Sequence, residues 1–285
     1  MKYSITLSSF SHINEPLKET LHRLVAQGYD AIEVLGDPRK SNINTIKTTL
    51  DTFDLAVSGI SGMWGIRGKL DGSSLRTNLI STNPSFVKSC FEYAKHCLEM
   101  CRLLDGKQVN ICLTSDDQNI SMYQLTHGHT SHLEKQRILE KGVIPVLTNL
   151  TRIAKDNGVR LLLEPLNRYC SRFCNTAKEA VDIAKQINHD SFGILLDTYH
   201  MNIEEDSIEI AIQNSGGWLR HTHFADNNRN MPGYGHIEFN SIVKSLRKIG
   251  YDEYICFEPN LSSSDFKDAT KRGLDFIKMI GYSSS

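Results

Sequence analysis

The chain has 285 residues, with 32 basic and 33 acidic side chains and a formal charge of -1, so nothing resembles the basic stripe of a nucleic-acid binder. No apolar run approaches the roughly 20 residues of a membrane-spanning helix. The amino terminus, MKYSITLSSF, has no uninterrupted apolar stretch and does not read as a secretory leader; the expectation is a soluble, cytoplasmic protein forming a single domain over residues 1–285.

Short apolar runs alternate with helical periodicity from end to end. The first strand is expected over Tyr3–Leu7, after which Leu17, Leu21 and Leu24 lead a helix to its stop at Gly28. Ala31–Leu35 and Ala56–Gly62 are the next two strands, and Trp64 ends the third, placed to stack on a bound ligand or to pack the rim. Behind Pro84, Val87 to Leu104 keeps helical spacing. Cys90, Cys97 and Cys101 share one face of it and read as small buried hydrophobes, since none of the seven cysteines lies in a CxxC pair.

Strand four, Gln108–Leu113, precedes the longest irregular stretch, Thr114 to Thr130, a length of loop that is usually functional. His127, His129 and His132 fall in or beside it without a nearby acid, which argues against a second metal site there. A helix from Val143 to Ile153 ends at Asn157-Gly158, and strand five follows over Arg160–Pro165. Thr176 and Glu179 have the spacing of a capping box for a helix from Ala177 to Ile187.

Strand six is expected over Phe192–Thr198 and strand seven over Leu219–Ala225, with Trp218 before it as a packing residue. Gly233 and Gly235 behind Pro232 form a turn, not a phosphate-binding GxGxxG. A helix from Ile242 to Ile249 stops at Gly250, strand eight covers Tyr254–Pro259, and a last helix runs from Phe266 to Ile280. Eight strand-helix alternations predict an α/β chain closed into one (β/α)₈ TIM barrel.

Polar residues interrupt the apolar runs at Glu164, Asp197, His223 and Glu258, each at the carboxyl end of its strand. That end carries the active site of such barrels. The separations of 33, 26 and 35 residues are each about one βα unit, so four adjacent strands deliver four ligand-type side chains to one rim. Three converging carboxylates repel one another unless a cation lies between them. Three oxygen donors and one imidazole suit one divalent metal, Mn²⁺ first, with Mg²⁺ or Co²⁺ as alternatives. Any one acid alone reads equally well as a helix cap; four on consecutive strands do not.

LEPLNRY (163–169), DTYHMNIEE (197–205), HTHFADNNRNMPGYGH (221–236) and FEP (257–259) resemble the sugar isomerase/epimerase family with the xylose-isomerase-like barrel. Within it, the ketose 3-epimerases of tagatose and psicose type and the keto-glycoside epimerases look equally similar. The resemblance implies that Glu164, Asp197, His223 and Glu258 bind the metal and that Glu164 and Glu258 are also the catalytic acid/base pair. It implies substrate contacts for His200 and Arg229, on a small-molecule sugar, and leaves homo-oligomerisation open.

One departure stands out. The position after the Asn-Arg-aromatic triplet is usually a Glu in ketose 3-epimerases, where it grips the hydroxyl end of the sugar; here it is Cys170. A thiol is not a charged acceptor. This shifts the expected substrate towards a modified sugar such as a keto-glycoside, unless Asn167 holds the same hydroxyl. The competing outcomes for the same machinery are a lyase, dehydrating a keto-sugar or keto-inositol or cleaving a C-glycoside, and a non-catalytic sugar-binding module, against which the paired glutamates argue. Phosphodiester cleavage of the endonuclease IV type requires more histidines at strand ends than the chain offers.

Overall fold

The computed structural model describes residues 1–36, 42–63, 79, 84–113, 136–171 and 173–283. Trp64, the three loop histidines and the stretch from Thr114 to Thr130 lie outside them.

Eight parallel strands close into a barrel in sequence order: β1 (Lys2–Thr6), β2 (Ala31–Leu35), β3 (Ala56–Met63), β4 (Gln108–Cys112), β5 (Arg160–Glu164), β6 (Phe192–Asp197), β7 (Leu219–Phe224) and β8 (Tyr254–Phe257), with β8 pairing back onto β1. Each lies within about two residues of its expected place. A strand buried on both faces has few alternatives to the ladder of its neighbours, so its ends are sharply set.

Side chains alternate along each strand, and the alternation sorts them. Val109, Ile111, Leu161, Leu163, Ile194, Leu196, Ile255 and Phe257 join the large hydrophobic cluster with the helices. The opposite parity carries Gln108, Asn110, Cys112, Glu164, Asp197, His221, His223 and Cys256, all buried. Contacts between non-neighbouring strands, Gln108 to His221 and Glu33 to His223, show that this second set crosses the barrel interior.

The outer helices follow their caps. Helix α1 (Leu17–Gln27) ends on Gly28 in the left-handed conformation at φ 90°, which costs glycine nothing. Helix α2 (Ile43–Leu50) starts on Asn42, whose side chain accepts from Thr45 N. Helix α3 (Pro84–Leu103) buries Cys90, Cys97 and Cys101 on one face, as its spacing predicts. Helix α4 (Ile144–Asp156) is preceded by a π-helical turn, Leu139–Val143. Helix α5 (Ala177–Ile187) has the complete capping box of Thr176 and Glu179, a feature worth about 1 kcal/mol.

Helices α6 (Thr198–Glu204) and α7 (Ile208–Ser215) fill the connection between β6 and β7, and α8 (Phe239–Lys248) and α9 (Phe266–Ser283) complete the ring. The short helices α2, α6 and α7 are not foreseen by periodicity, because two turns give too few repeats of a 3.6-residue pattern. Their starts depend on single caps: Asn42, Asp197 and Ser207. Trp218 lies in a one-turn 3-10 segment before β7 and packs on the core. Among the described residues no helix is long and apolar enough to cross a membrane.

Candidate active site

Glu164 and Asp197 are the last residues of β5 and β6, His223 is the penultimate residue of β7, and Glu258 follows β8 by one residue. The Glu258 N–H still donates to Phe224 O at 3.0 Å, so the ladder carries it to the same rim. One ligand atom from each of the four lies within 4.8 Å of all the others. Glu164, Asp197 and His223 have no exposed surface, and Glu258 is 6% exposed.

Each member is held from a different direction. Glu164 Oε2 accepts from Asn110 Nδ2 at 2.8 Å. Asp197 Oδ1 accepts from Tyr199 N at 2.8 Å while capping α6, and its Oδ2 accepts from Arg229 NH1 at 2.6 Å. The other arm of that guanidinium reaches Glu258 Oε2 at 2.5 Å. His223 places Nε2 3.2 Å from Glu33 and Nδ1 3.1 Å from Glu258 Oε2.

Two buried atoms of the group, Glu164 Oε1 and His223 Nδ1, make no hydrogen bond. Native proteins rarely leave such atoms unmet. With the imidazole neutral, as a metal ligand must be, three carboxylates against one guanidinium leave two excess negative charges, which one divalent cation would neutralise. Oxygen and imidazole donors converging in this number fit such a cation. Burial opposes charge on the His223 imidazole, but Glu258 and Glu33 beside it hold its pKa well above the usual histidine value.

His200 lies on α6, 4% exposed. Its Nδ1 faces the Asn167 backbone N–H at 3.2 Å and Asn167 Nδ2 at 2.7 Å. An acceptor of a backbone N–H is unprotonated, so the proton of the neutral ring is on Nε2, which has no hydrogen-bond partner. Burial, reinforced by Arg229 and opposed by Asp197, lowers the pKa of His200 to about 4.

Above these groups opens a cavity of about 370 Å³, lined among others by Ser8, Ser9, Cys170, His200, Arg229 and Glu258. That volume falls in the range of small-molecule sites. Cys170 is exposed on its wall, at the position the sequence singles out. Asn167 is 2% exposed, and its Oδ1 accepts from Tyr169 N at 3.0 Å. Its amide is thus engaged at both ends, by His200 and by the Tyr169 N–H.

Arg229 reaches the site from a loop after β7 and adopts a positive φ of 59°. The loop is wound around Asp226, whose carboxylate accepts from the backbone N–H groups of Asn227, Gly233, Gly235 and Ile237. A Cβ on Gly235 would lie 2.1 Å from Asn227 Oδ1 and 2.4 Å from Asp226 Oδ1. The turn at Gly233 and Gly235 therefore grips a carboxylate of its own chain.

Sequence reasoning missed Glu33, Asn110, His221 and Asp226. A signal existed for two of them. Glu33 is a lone acid inside the apolar run AIEVL, and His221 shares the strand face of His223 by the two-residue alternation.

Residues 21–280 match the family model described as xylose isomerase-like TIM barrel. The chain is 31% identical to the D-psicose 3-epimerase of Ruminiclostridium cellulolyticum, over 85% of this chain and 78% of that protein. It is 33% identical to the 3-dehydro-D-guloside 4-epimerase of Escherichia coli, over 93% and 95%. A crystal structure of D-psicose 3-epimerase with D-tagatose, from Clostridium cellulolyticum, superposes with a TM-score of 0.80 at 25% identity, covering 98% of this chain and 99% of that one.

Proposed function

The chain belongs to the family of xylose isomerase-like TIM barrels, and on that premise we propose that it is a metal-dependent sugar epimerase acting on a ketose or keto-glycoside. The observation that carries this reading is the pair Glu164 and Glu258, buried with Asp197 and His223 in one cluster of which Glu258 lines a sugar-sized cavity. Inverting C3 of a 2-ketose or C4 of a 3-keto-glycoside, the reactions these relatives are named for, changes a carbon beside a carbonyl, whose proton a base can remove.

Glu164, Asp197, His223 and Glu258 would hold the cation, with Mn²⁺ the best match to three carboxylates and one imidazole. When bound there, a divalent cation supplies the positive charge that stabilises the developing enolate oxygen. The chain's own groups do the rest. One of Glu164 and Glu258 takes the proton from the carbon beside the carbonyl, and the other returns a proton to the opposite face. Because Asn167 occupies Nδ1 of His200, the ring presents Nε2–H as a fixed donor to a substrate oxygen. Arg229 spans Asp197 and Glu258 and brings a permanent positive charge to the cavity wall. Preoriented donors of this kind stabilise charge without reorganising. Cys170 on the wall favours a sugar whose hydroxyl end is substituted.

Mn²⁺-loaded protein incubated in D₂O with a panel of ketoses and 3-keto-glycosides tests the proposal by NMR. The expected result is deuterium uptake at one carbon beside the carbonyl, together with the epimer, and loss of both after chelation. A product that has lost a hydroxyl or an aglycone would replace the epimerase with a lyase, and undiminished turnover in excess EDTA would remove the metal.

A further inference from the structure

Below the four-residue cluster the barrel holds a second polar layer. Glu33, from the middle of β2, is 1% exposed and lies among His221, His223 and Ser61. Its oxygens are 3.2 Å from His223 Nε2 and 3.4 Å from His221 Nε2, and Oε2 accepts from Ser61 Oγ at 3.0 Å. His221 is in turn fixed on its other side, with Nδ1 2.9 Å from Gln108 Nε2. Glycine at position 59, the register partner of Glu33 on β3, packs closely on β4: a Cβ there would lie 3.0 Å from Gln108 O, and at 3.6 Å would only touch Glu33 Oε1. Barrel interiors are ordinarily filled by branched apolar side chains, and an ionised carboxylate buried there is costly unless donors surround it.

We propose that Glu33 is a positioning residue for the metal centre: it takes the Nε2–H of His223, so that Nδ1 is the nitrogen turned to the cation. The proposal rests on the metal reading above. An imidazole offers a cation only the nitrogen that carries no proton, and which nitrogen that is depends on the hydrogen bond made by the other. His223 Nδ1 is the atom that faces Glu258 and Glu164, at 3.1 and 3.7 Å. A carboxylate on the far nitrogen fixes the ring plane and raises the basicity of the ligating atom.

The same side chains admit a competing use. Glu33, His221, His223 and Cys256 also converge closely enough to hold an ion of their own. His223 belongs to both groups, however, and one ring can bridge two cations only after losing both ring protons. A fixed Nε2–H on Glu33 and a cation on Nδ1 require no such loss.

Titration calorimetry with Mn²⁺ on the wild type and on Glu33→Gln, and ¹⁵N-histidine NMR on the Zn²⁺-loaded forms, test this without any sugar. Wild type should bind one Mn²⁺ per chain and show a slowly exchanging Nε2 proton on His223 with Nδ1 coordinated. Glu33→Gln should bind about 10- to 100-fold more weakly and lose the protection of that proton. Equal Mn²⁺ affinity in the two proteins, or coordination through Nε2 in the wild type, would overturn the assignment while leaving the metal site standing. The NMR result on wild type decides the question even if the variant does not fold. Two Mn²⁺ per wild-type chain would overturn it in favour of a second ion on Glu33, His221 and Cys256. Absence of any Mn²⁺ binding to the wild type would fail the metal reading, and this proposal with it.

Discussion

The two halves of the barrel carry similar polar side chains and use them differently. In the half made by β5–β8, Glu164, Asp197, His223 and Glu258 turn their ligand atoms towards one another beside the cavity, and two of these atoms make no hydrogen bond. In the half made by β1–β4, Glu33 is engaged by His223 and Ser61, and Asn110 by Glu164 and the N–H of Gly62. Glu33 and Glu164 are both buried strand glutamates. The one whose lone pairs the fold has already met works as support; the one left with an unmet oxygen is available to a ligand.

Substitutions in the two halves should therefore separate in size and in readout. The largest effect is expected for Glu258→Gln, since an amide cannot act as a base at neutral pH. Proton exchange on a verified substrate should fall about 10²- to 10⁴-fold, with circular dichroism unchanged. Exchange at the wild-type rate would remove Glu258 from the chemistry and blur the distinction between the halves.

In the supporting half, Asn110→Ala deletes the donor to Glu164 Oε2. Mn²⁺ affinity should drop about tenfold or more, as for other groups that orient a metal ligand, while the proton-transfer rate at saturating metal changes much less. Calorimetry and saturating-metal kinetics read the two separately. A kcat loss as large as that of Glu258→Gln would break the comparison.

Cys170→Glu probes the cavity wall. A charge-assisted hydrogen bond to a substrate hydroxyl is worth roughly 1.5 to 3 kcal/mol, so kcat/KM on a free ketose should rise about tenfold to a hundredfold. Steady-state kinetics on fructose, tagatose and psicose measure it. Efficient turnover of these sugars by the unchanged protein would show that position 170 does not set specificity.

The smallest effect is expected at the amino-terminal end of the strands, which serves stability. There Arg160 NH1 pairs with Glu253 Oε1 at 2.6 Å. Burial pushes the Glu253 carboxyl up, but the Arg160 hydrogen bond and charge outweigh it and hold the pKa below the usual 4.5. A depressed carboxylate stabilises the fold at pH values above its unfolded pKa, and the contribution is lost as pH falls through the folded value. Glu253→Gln should cost about 0.5 to 1 kcal/mol at neutral pH and nothing in acid, read by denaturant melts at several pH values with activity unaffected.

The amino-acid sequence by itself determined the eight strands, the longer helices with their Gly28 and Thr176–Glu179 signals, and the four residues at the ends of β5–β8. These are legible because each rests on a local regularity: burial on both faces of a strand, a cap at fixed spacing, or one polar residue closing an apolar run. Only the tertiary structure decided how the polar residues pair across the barrel. Glu33 and His223 are 190 positions apart and Gln108 and His221 are 113 apart, and no local pattern reports a contact that exists only once the sheet has closed. The contact of Asn167 with His200 was hidden for the same reason. Its place in the LNRY motif suggests a hand for the substrate, and only folding brings His200 of α6 against its amide.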